Sequence, residues 1–350
     1  MAISSKSFGQ NAQGQEVTLY TMTNASGASV SMMDYGATVT SIRVPDAEGK
    51  LGEVALGFDD MRGYLADHGH MGETIGRYGN RIARGRFMLN GKEYPLATNN
   101  GVNHLHGGKI GYGVRMWEVT ILEEETADTL AFHLISPDGE EGYPGTLDVN
   151  VTYQWTANND LIIRYRATTD QTTICNLTNH TYFNLAGVGD VSGHELMIDA
   201  DVITPVDSGL IPTGGYLPVA DTQFDFREFR PIFHGLDAKD EDVQLRYGNG
   251  YDHNFVLRKG CAMGMAAVLY HEPTGRTMEV ITDQPGVQFY TGNFVHFDGG
   301  HDGIDYRENA GLCLETQHYP DSPNNPQFPS VVLQPGEQYD TTTIYAFRIS

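Results

Sequence analysis

The chain has 350 residues, 40% of them hydrophobic, and a formal net charge of -23 from 45 acidic against 22 basic residues. That apolar content supports a large buried core and excludes disorder. The acidic excess excludes nucleic acid and an anionic membrane as partners, because both are held by lysine and arginine, and it suits a neutral substrate.

The run from Met1 to Gln15 is polar, with no apolar segment of the signal-peptide kind. Met61 to Asp67 is the clearest candidate for a short helical turn. Leu147 to Trp155 alternates apolar and polar residues strictly, and Leu161 to Ala167 repeats the pattern after Asn158-Asn159-Asp160. Period two is the mark of a half-buried strand, so the two segments read as a hairpin. Met263–Tyr270 and Arg276–Thr282 flank His271-Glu272-Pro273-Thr274-Gly275 as a second hairpin. The apolar stretch from Cys261 to Tyr270 is too short to span a bilayer. Tyr319 to Pro329 is the most linker-like piece, yet it lies too near the C-terminus to divide two domains, and Thr341–Ile349 closes the chain as another strand. With 41 glycines spread over many turns, the expectation is one all-β unit over residues 1–350 with few short helical turns, two stacked sheets forming a sandwich, although the strand pattern alone does not separate a sandwich from a barrel. Cys175, Cys261 and Cys313 are odd in number and widely spaced, which suits reduced thiols in the cytoplasm. The Asn-x-Ser/Thr triplets at Asn24, Asn150 and Asn176 are then read as chance.

Phosphate-loop, dinucleotide, nucleophile-elbow and Cys-x-x-Cys signatures are absent from the sequence. Polar residues instead crowd segments that otherwise read as strands and strand ends. These are Asn103–Gly108, Thr178–Leu185, Tyr251–Phe255, Gln288–Asn293 and Leu314–Gln317. Each mixes hydrogen-bonding side chains with apolar or aromatic ones, the combination that binds sugar hydroxyls and C–H faces. Glu315, in the apolar run Gly311–Glu315, is costly to bury unless it is paired or used. His106 alone reads as a turn cap, and Asp252 alone as a turn acid. A metal reading rests on His104-x-His106, with both imidazoles on one strand face, and on His68-Gly-His70-x-x-Glu73. With 13 histidines such pairs arise by chance, so it is a minority reading and no metal is assigned. Arg77, Arg81, Arg84 and Arg86 crowd one segment. They could bind a sugar phosphate, but the expectation is one arginine in the site and the rest structural.

At these segments the sequence resembles the aldose 1-epimerase (galactose mutarotase) family. The resemblance runs through Gly76-Arg77…Asn80-Arg81-Ile82, Leu105-His106-Gly107-Gly108, Asn179–Leu185, Asp252–Phe255, Pro285–Asn293 and Leu314–Gln317, in family order and over nearly the whole chain. It implies a single-domain β-supersandwich with the sugar in an open cleft and no cofactor. By that resemblance His180 is the general acid and Glu315 the general base. Asn80, Arg81, His106, Asp252 and Gln288 hold hydroxyls, and Tyr182 and Phe183 line the site. Tyr78-Gly79 and His104 stand where more varied residues are expected.

The implied reaction opens a pyranose ring, rotates C1–C2 and recloses the ring on the other face. One group removes the proton from the anomeric hydroxyl while another protonates the ring oxygen. Glu315, expected ionised at neutral pH, suits the first task, and His180, expected to titrate near neutrality, the second. A retaining glycosidase would need two carboxylates across the bond, whereas this set pairs one with a histidine. A hexose-phosphate epimerase, a non-catalytic sugar-binding module and a metal-dependent hydrolase remain as alternatives. The partner expected is a free aldohexose, and the assembly a monomer or homodimer.

Overall fold

The computed structural model describes residues 2–66, 68–122 and 129–350; Met1 and Asp67, named above, lie outside them. Strands dominate, and every paired strand among the described residues is antiparallel within the three large sheets. The longest sheet has nine strands in the order Glu118–Leu122, Thr129–Ser136, Leu147–Trp155, Asp160–Thr169, Tyr339–Ile349, Arg276–Thr282, Gly264–His271, His194–Ile198 and Arg230–Pro231. Both expected hairpins lie in it, with Trp155 opposite Leu161 and His271 opposite Arg276. The closing strand is central, inserted between the two hairpins.

Two five-stranded sheets and four two-stranded pairs complete the fold among the described residues. One is an N-terminal meander of Ala2–Gln10, Glu16–Thr23, Ser29–Met33, Thr38–Pro45 and Leu51–Glu53. The other runs in the order Leu217–Pro218, Ala200–Ile203, Asp252–Leu257, Gly286–Tyr290 and Cys313–Gln317. One continuous core joins all three sheets: Val30, Val39 and Ile42 from the meander, Phe255, Val287 and Leu314 from the second short sheet, and Val149, Val151, Ile163 and Val280 from the long one. Burying each such side chain is worth roughly 1.5–3 kcal/mol. Aromatics of the long sheet carry polar tips across the core. Trp155 Nε1 donates to Ala28 O (3.1 Å), Tyr153 Oη to Ala37 O (2.9 Å) and Tyr345 Oη to Leu314 O (3.0 Å). Those bonds satisfy the buried hydroxyl and indole groups and tie the layers of the sandwich together.

The expected helical turn is Met61–Leu65, capped by Asp60, whose side chain accepts from Arg62 N. No helix among the described residues is long and apolar enough to cross a membrane.

Candidate active site

Adjacent strands of the second short sheet supply the floor of the site. Asn254 stands opposite Gln288, and Gln288 opposite Glu315. Because strand side chains alternate between faces, Phe255, Val287, Phe289 and Leu314 enter the core, and Asp252, Gln288, Tyr290, Cys313 and Glu315 share the other face. Gln288 Nε2 donates to Asp252 Oδ1 at 2.7 Å. Arg81 reaches Asp252 Oδ2 through Nη1 at 3.4 Å and Asn100 Oδ1 through Nε at 3.2 Å. Glu315 Oε2 and Gln288 Oε1 are buried and have no hydrogen-bond partner among the described residues. Such acceptors are costly in a folded interior, and sugar hydroxyls could satisfy them.

One wall is the segment around His180. Thr178 and Asn179 pair with Ile75 and Thr74. His180 N donates to Glu73 O (2.9 Å), and Gly72 N to His180 O (3.0 Å). This register brings His180 Nε2 to 3.8 Å from Glu315 Oε1, and Cys313 Sγ to 3.5 Å from His180 Nδ1. The Tyr182 ring lies 5.1 Å from His180 and that of Tyr290 at 6.3 Å.

His106 comes from a turn after the short pairing of Arg81–Ile82 with His104–Leu105. Asn80 N donates to His106 Nδ1 (3.1 Å), and the His106 ring is 5.2 Å from His180. Asn80 and His106 have φ of 63° and 49°, a left-handed conformation that asparagine and histidine adopt more readily than most residues.

Asn80, Arg81, His106, His180, Tyr182, Asp252, Gln288 and Glu315 thus converge, and Phe183 does not. Its ring packs 4.9 Å from Tyr345 in the core. Tyr182 and Phe183 are consecutive in extended backbone, so when one faces the cleft the other faces away. The histidine pair also separates. The strand ends at Leu105, and His104 turns to Ala97 O (2.6 Å) and Tyr143 Oη (2.5 Å), away from the cleft. Arg77 is wholly buried, donating to the carbonyls of Ser136, Pro144 and Gly145. Arg86 pairs at the surface with Glu93.

Sequence reasoning missed Tyr290, Cys313 and His70. The first two lie two residues from Gln288 and Glu315, so strand period alone could have found them. His70 reaches the cleft from a turn, 4.8 Å from the His106 ring and 6.0 Å from that of His180.

The charge states expected of the acid and base need correction. Burial, with Asp252 adding to it, pushes the Glu315 carboxyl well above the ordinary carboxylate range. Burial also lowers His180 to about 3. The two groups therefore favour a protonated Glu315 beside a neutral His180.

His106, His180 and Glu315 bring potential metal-ligand atoms within 4.8 Å of one another. The Asn80 amide, however, occupies the lone pair of His106 Nδ1. The neutral ring then carries its proton on Nε2 and has no second lone pair for a metal. The donor set does not fit a metal ion.

A family model described as aldose 1-epimerase matches residues 18–346. The galactose mutarotase of Sus scrofa is 45% identical over 326 residues, covering 92% of this chain and 91% of that protein. The aldose 1-epimerase of Escherichia coli (strain K12) is 39% identical over 338 residues, covering 95% and 96%. Among solved structures, an aldose epimerase homologue from C. elegans superposes with a TM-score of 0.86 at 32% identity, covering 94% of this chain and 98% of that one. A galactose 1-epimerase from Lactobacillus acidophilus NCFM gives 0.88 at 27% identity, covering 100% and 99%.

Proposed function

The chain belongs to the aldose 1-epimerase family, and from that premise we propose that it interconverts the α and β anomers of a free aldohexose such as galactose or glucose, with His180 and Glu315 moving the protons. The observation that carries the reading is the approach of His180 Nε2 to Glu315 Oε1, 3.8 Å apart in a buried polar cleft. A pyranose entering there would meet an acid and a base side by side.

In ring opening, Glu315 takes the proton from the anomeric hydroxyl, the C1–O5 bond breaks, and His180 delivers a proton to O5. The product is the open-chain aldehyde. After rotation about C1–C2, O5 attacks the other face of the carbonyl, His180 takes the O5 proton and Glu315 returns one to O1. The cycle draws no net proton from solvent. Its start has Glu315 ionised and His180 protonated, and its midpoint has the reverse, with the same number of protons in the pair. Burial favours the midpoint tautomer, so a sugar that hydrogen-bonds to Glu315 shifts the pair toward the starting one.

Asp252, Gln288, Arg81, Asn80 and His106 would hold the hydroxyls, and Tyr182 would cover a C–H face. A free sugar is favoured over a sugar phosphate, because Arg77 is committed to backbone carbonyls and Arg81 to Asp252 and Asn100. The reaction needs no cofactor. The whole chain would act as one domain, and three free cysteines, two of them buried, suit a cytoplasmic setting.

Polarimetry on freshly dissolved α-D-galactose and α-D-glucose tests the proposal. Faster decay to an unchanged final rotation is expected with catalytic amounts of protein. No acceleration of either sugar would overturn it.

A further inference from the structure

Two histidines of the cleft are anchored in opposite senses. His106 Nδ1 accepts from the Asn80 backbone N–H at 3.1 Å, so its neutral ring carries the proton on Nε2. His70 Nδ1 lies 2.8 Å from Glu73 Oε2. Burial works to raise the Glu73 carboxyl, but the charges and hydrogen bonds of His70 and His68 outweigh it and hold the group well below the ordinary range. An ionised carboxylate only accepts. His70 therefore donates from Nδ1, and the tautomer this selects has its lone pair on Nε2.

The second Glu73 oxygen lies 2.9 Å from His68 Nε2, while His68 Nδ1 faces Ala66 O at 2.9 Å. Both of these groups are acceptors, and they hold the His68 ring between them.

His70 also leads from this buried anchor toward the surface beside His106. Its side chain is 37% accessible, against 4% for Glu73. Its ring is 4.8 Å from that of His106, inclined at 62°. The turn that carries it is fixed to the His180 segment by Gly72 N donating to His180 O (3.0 Å) and Tyr182 Oη to Gly69 O (2.9 Å). His70 has a φ of 61°, a conformation that costs free energy unless its surroundings hold it there.

We propose that His70 is a further substrate-binding residue, its Nε2 accepting a hydrogen bond from a sugar hydroxyl that simultaneously accepts one from His106 Nε2–H. The inference rests on the sugar reading above. A hydroxyl donates and accepts at once, so it satisfies one ring of each kind. A carbonyl or ether oxygen could serve His106 only, and a deoxy position neither.

The test follows mutarotation of galactose, glucose and each of their monodeoxy forms with the wild type, His70→Asn and His70→Phe. Asparagine tolerates the left-handed backbone and withdraws the acceptor, and phenylalanine keeps the ring volume without nitrogen. In the wild type one deoxy sugar is expected to lose roughly three- to tenfold in kcat/KM, the scale of a neutral hydrogen bond. Both variants should lose a similar factor on the intact sugar, mainly through KM, and nothing further on that deoxy sugar. Wild-type kinetics in the folded variants, or an equal loss on every sugar, would overturn the inference. Acceleration of intact galactose or glucose by the wild type is read separately, so failure of the sugar reading itself stays distinguishable.

Discussion

At Glu315 a carboxyl group is buried on a strand whose neighbour Leu314 lies in the apolar core. Its raised proton affinity records that cost in the folded protein. Glu315→Gln keeps the shape and removes the proton acceptor, so activity should fall by about 10²–10⁴-fold. Melting temperature should hold or rise, since no carboxylate then has to be desolvated. His180→Asn should show a similar loss of rate with the fold intact. Polarimetry and thermal melts check both variants, and wild-type rates in either folded protein would remove the mechanism. The sequence made Glu315 conspicuous because a lone acid in an apolar strand has few structural uses. It could not give the charge state, because the desolvation that shifts Glu315 and His180 comes from residues distant in sequence. Tyr182 and Phe183 illustrate the same limit. The motif contains both, and only the direction of the backbone decides which ring enters the cleft.

Among the elements, those with regular alternation were legible and the turns were not. Leu147–Trp155 buries its odd-numbered residues from Leu147 to Trp155, as its pattern requires. His104-x-His106 also looked like alternation, but the chain leaves the strand at His106, where φ is 49°. The next residue controls that departure. Gly107 has a φ of 83°, and a Cβ there would lie 1.8 Å from Gly76 O, a backbone atom that cannot swing aside. Gly107→Ala should therefore displace His106, reduce kcat/KM at least tenfold and destabilise by more than the ~1 kcal/mol typical of a backbone conformation that only glycine adopts freely. Gly91 has a similar φ of 77° with nothing within 4 Å of its missing Cβ. Gly91→Ala should cost about 1 kcal/mol and leave the rate unchanged. Equal kinetics for the two variants would show that the approach of Gly107 to Gly76 does not position His106.

Across the whole molecule, the sequence pattern indicated an all-β fold, but strand order depends on pairings between distant segments, such as Tyr339–Ile349 between Asp160–Thr169 and Arg276–Thr282. Folding around those pairings buries several histidines. Burial lowers His253 and His318 to about 4, and His180 and His194 to about 3. Below pH ~6.5 the unfolded chain binds protons that the folded one resists. The stability these groups contribute is thus complete above that pH and declines as pH falls toward 4 and 3. Glu53 and Glu315 act oppositely, because burial raises both and their contribution is lost as pH rises through the folded values. Melting temperature should consequently fall only gently from pH ~6.5 to ~4.5, where the two sets oppose, and steeply below, where the unfolded carboxyls are already protonated. His253 offers a clean test. It is fully buried beside Phe224 and accepts the Asp252 N–H at Nδ1. His253→Asn keeps an acceptor there and cannot take up a proton. Whatever packing it loses at neutral pH, its deficit relative to the wild type should shrink as pH falls, by up to about 1.4 kcal/mol for each unit of depression. Parallel melting curves from pH 7 to 4 would mean that this buried imidazole does not carry the acid sensitivity.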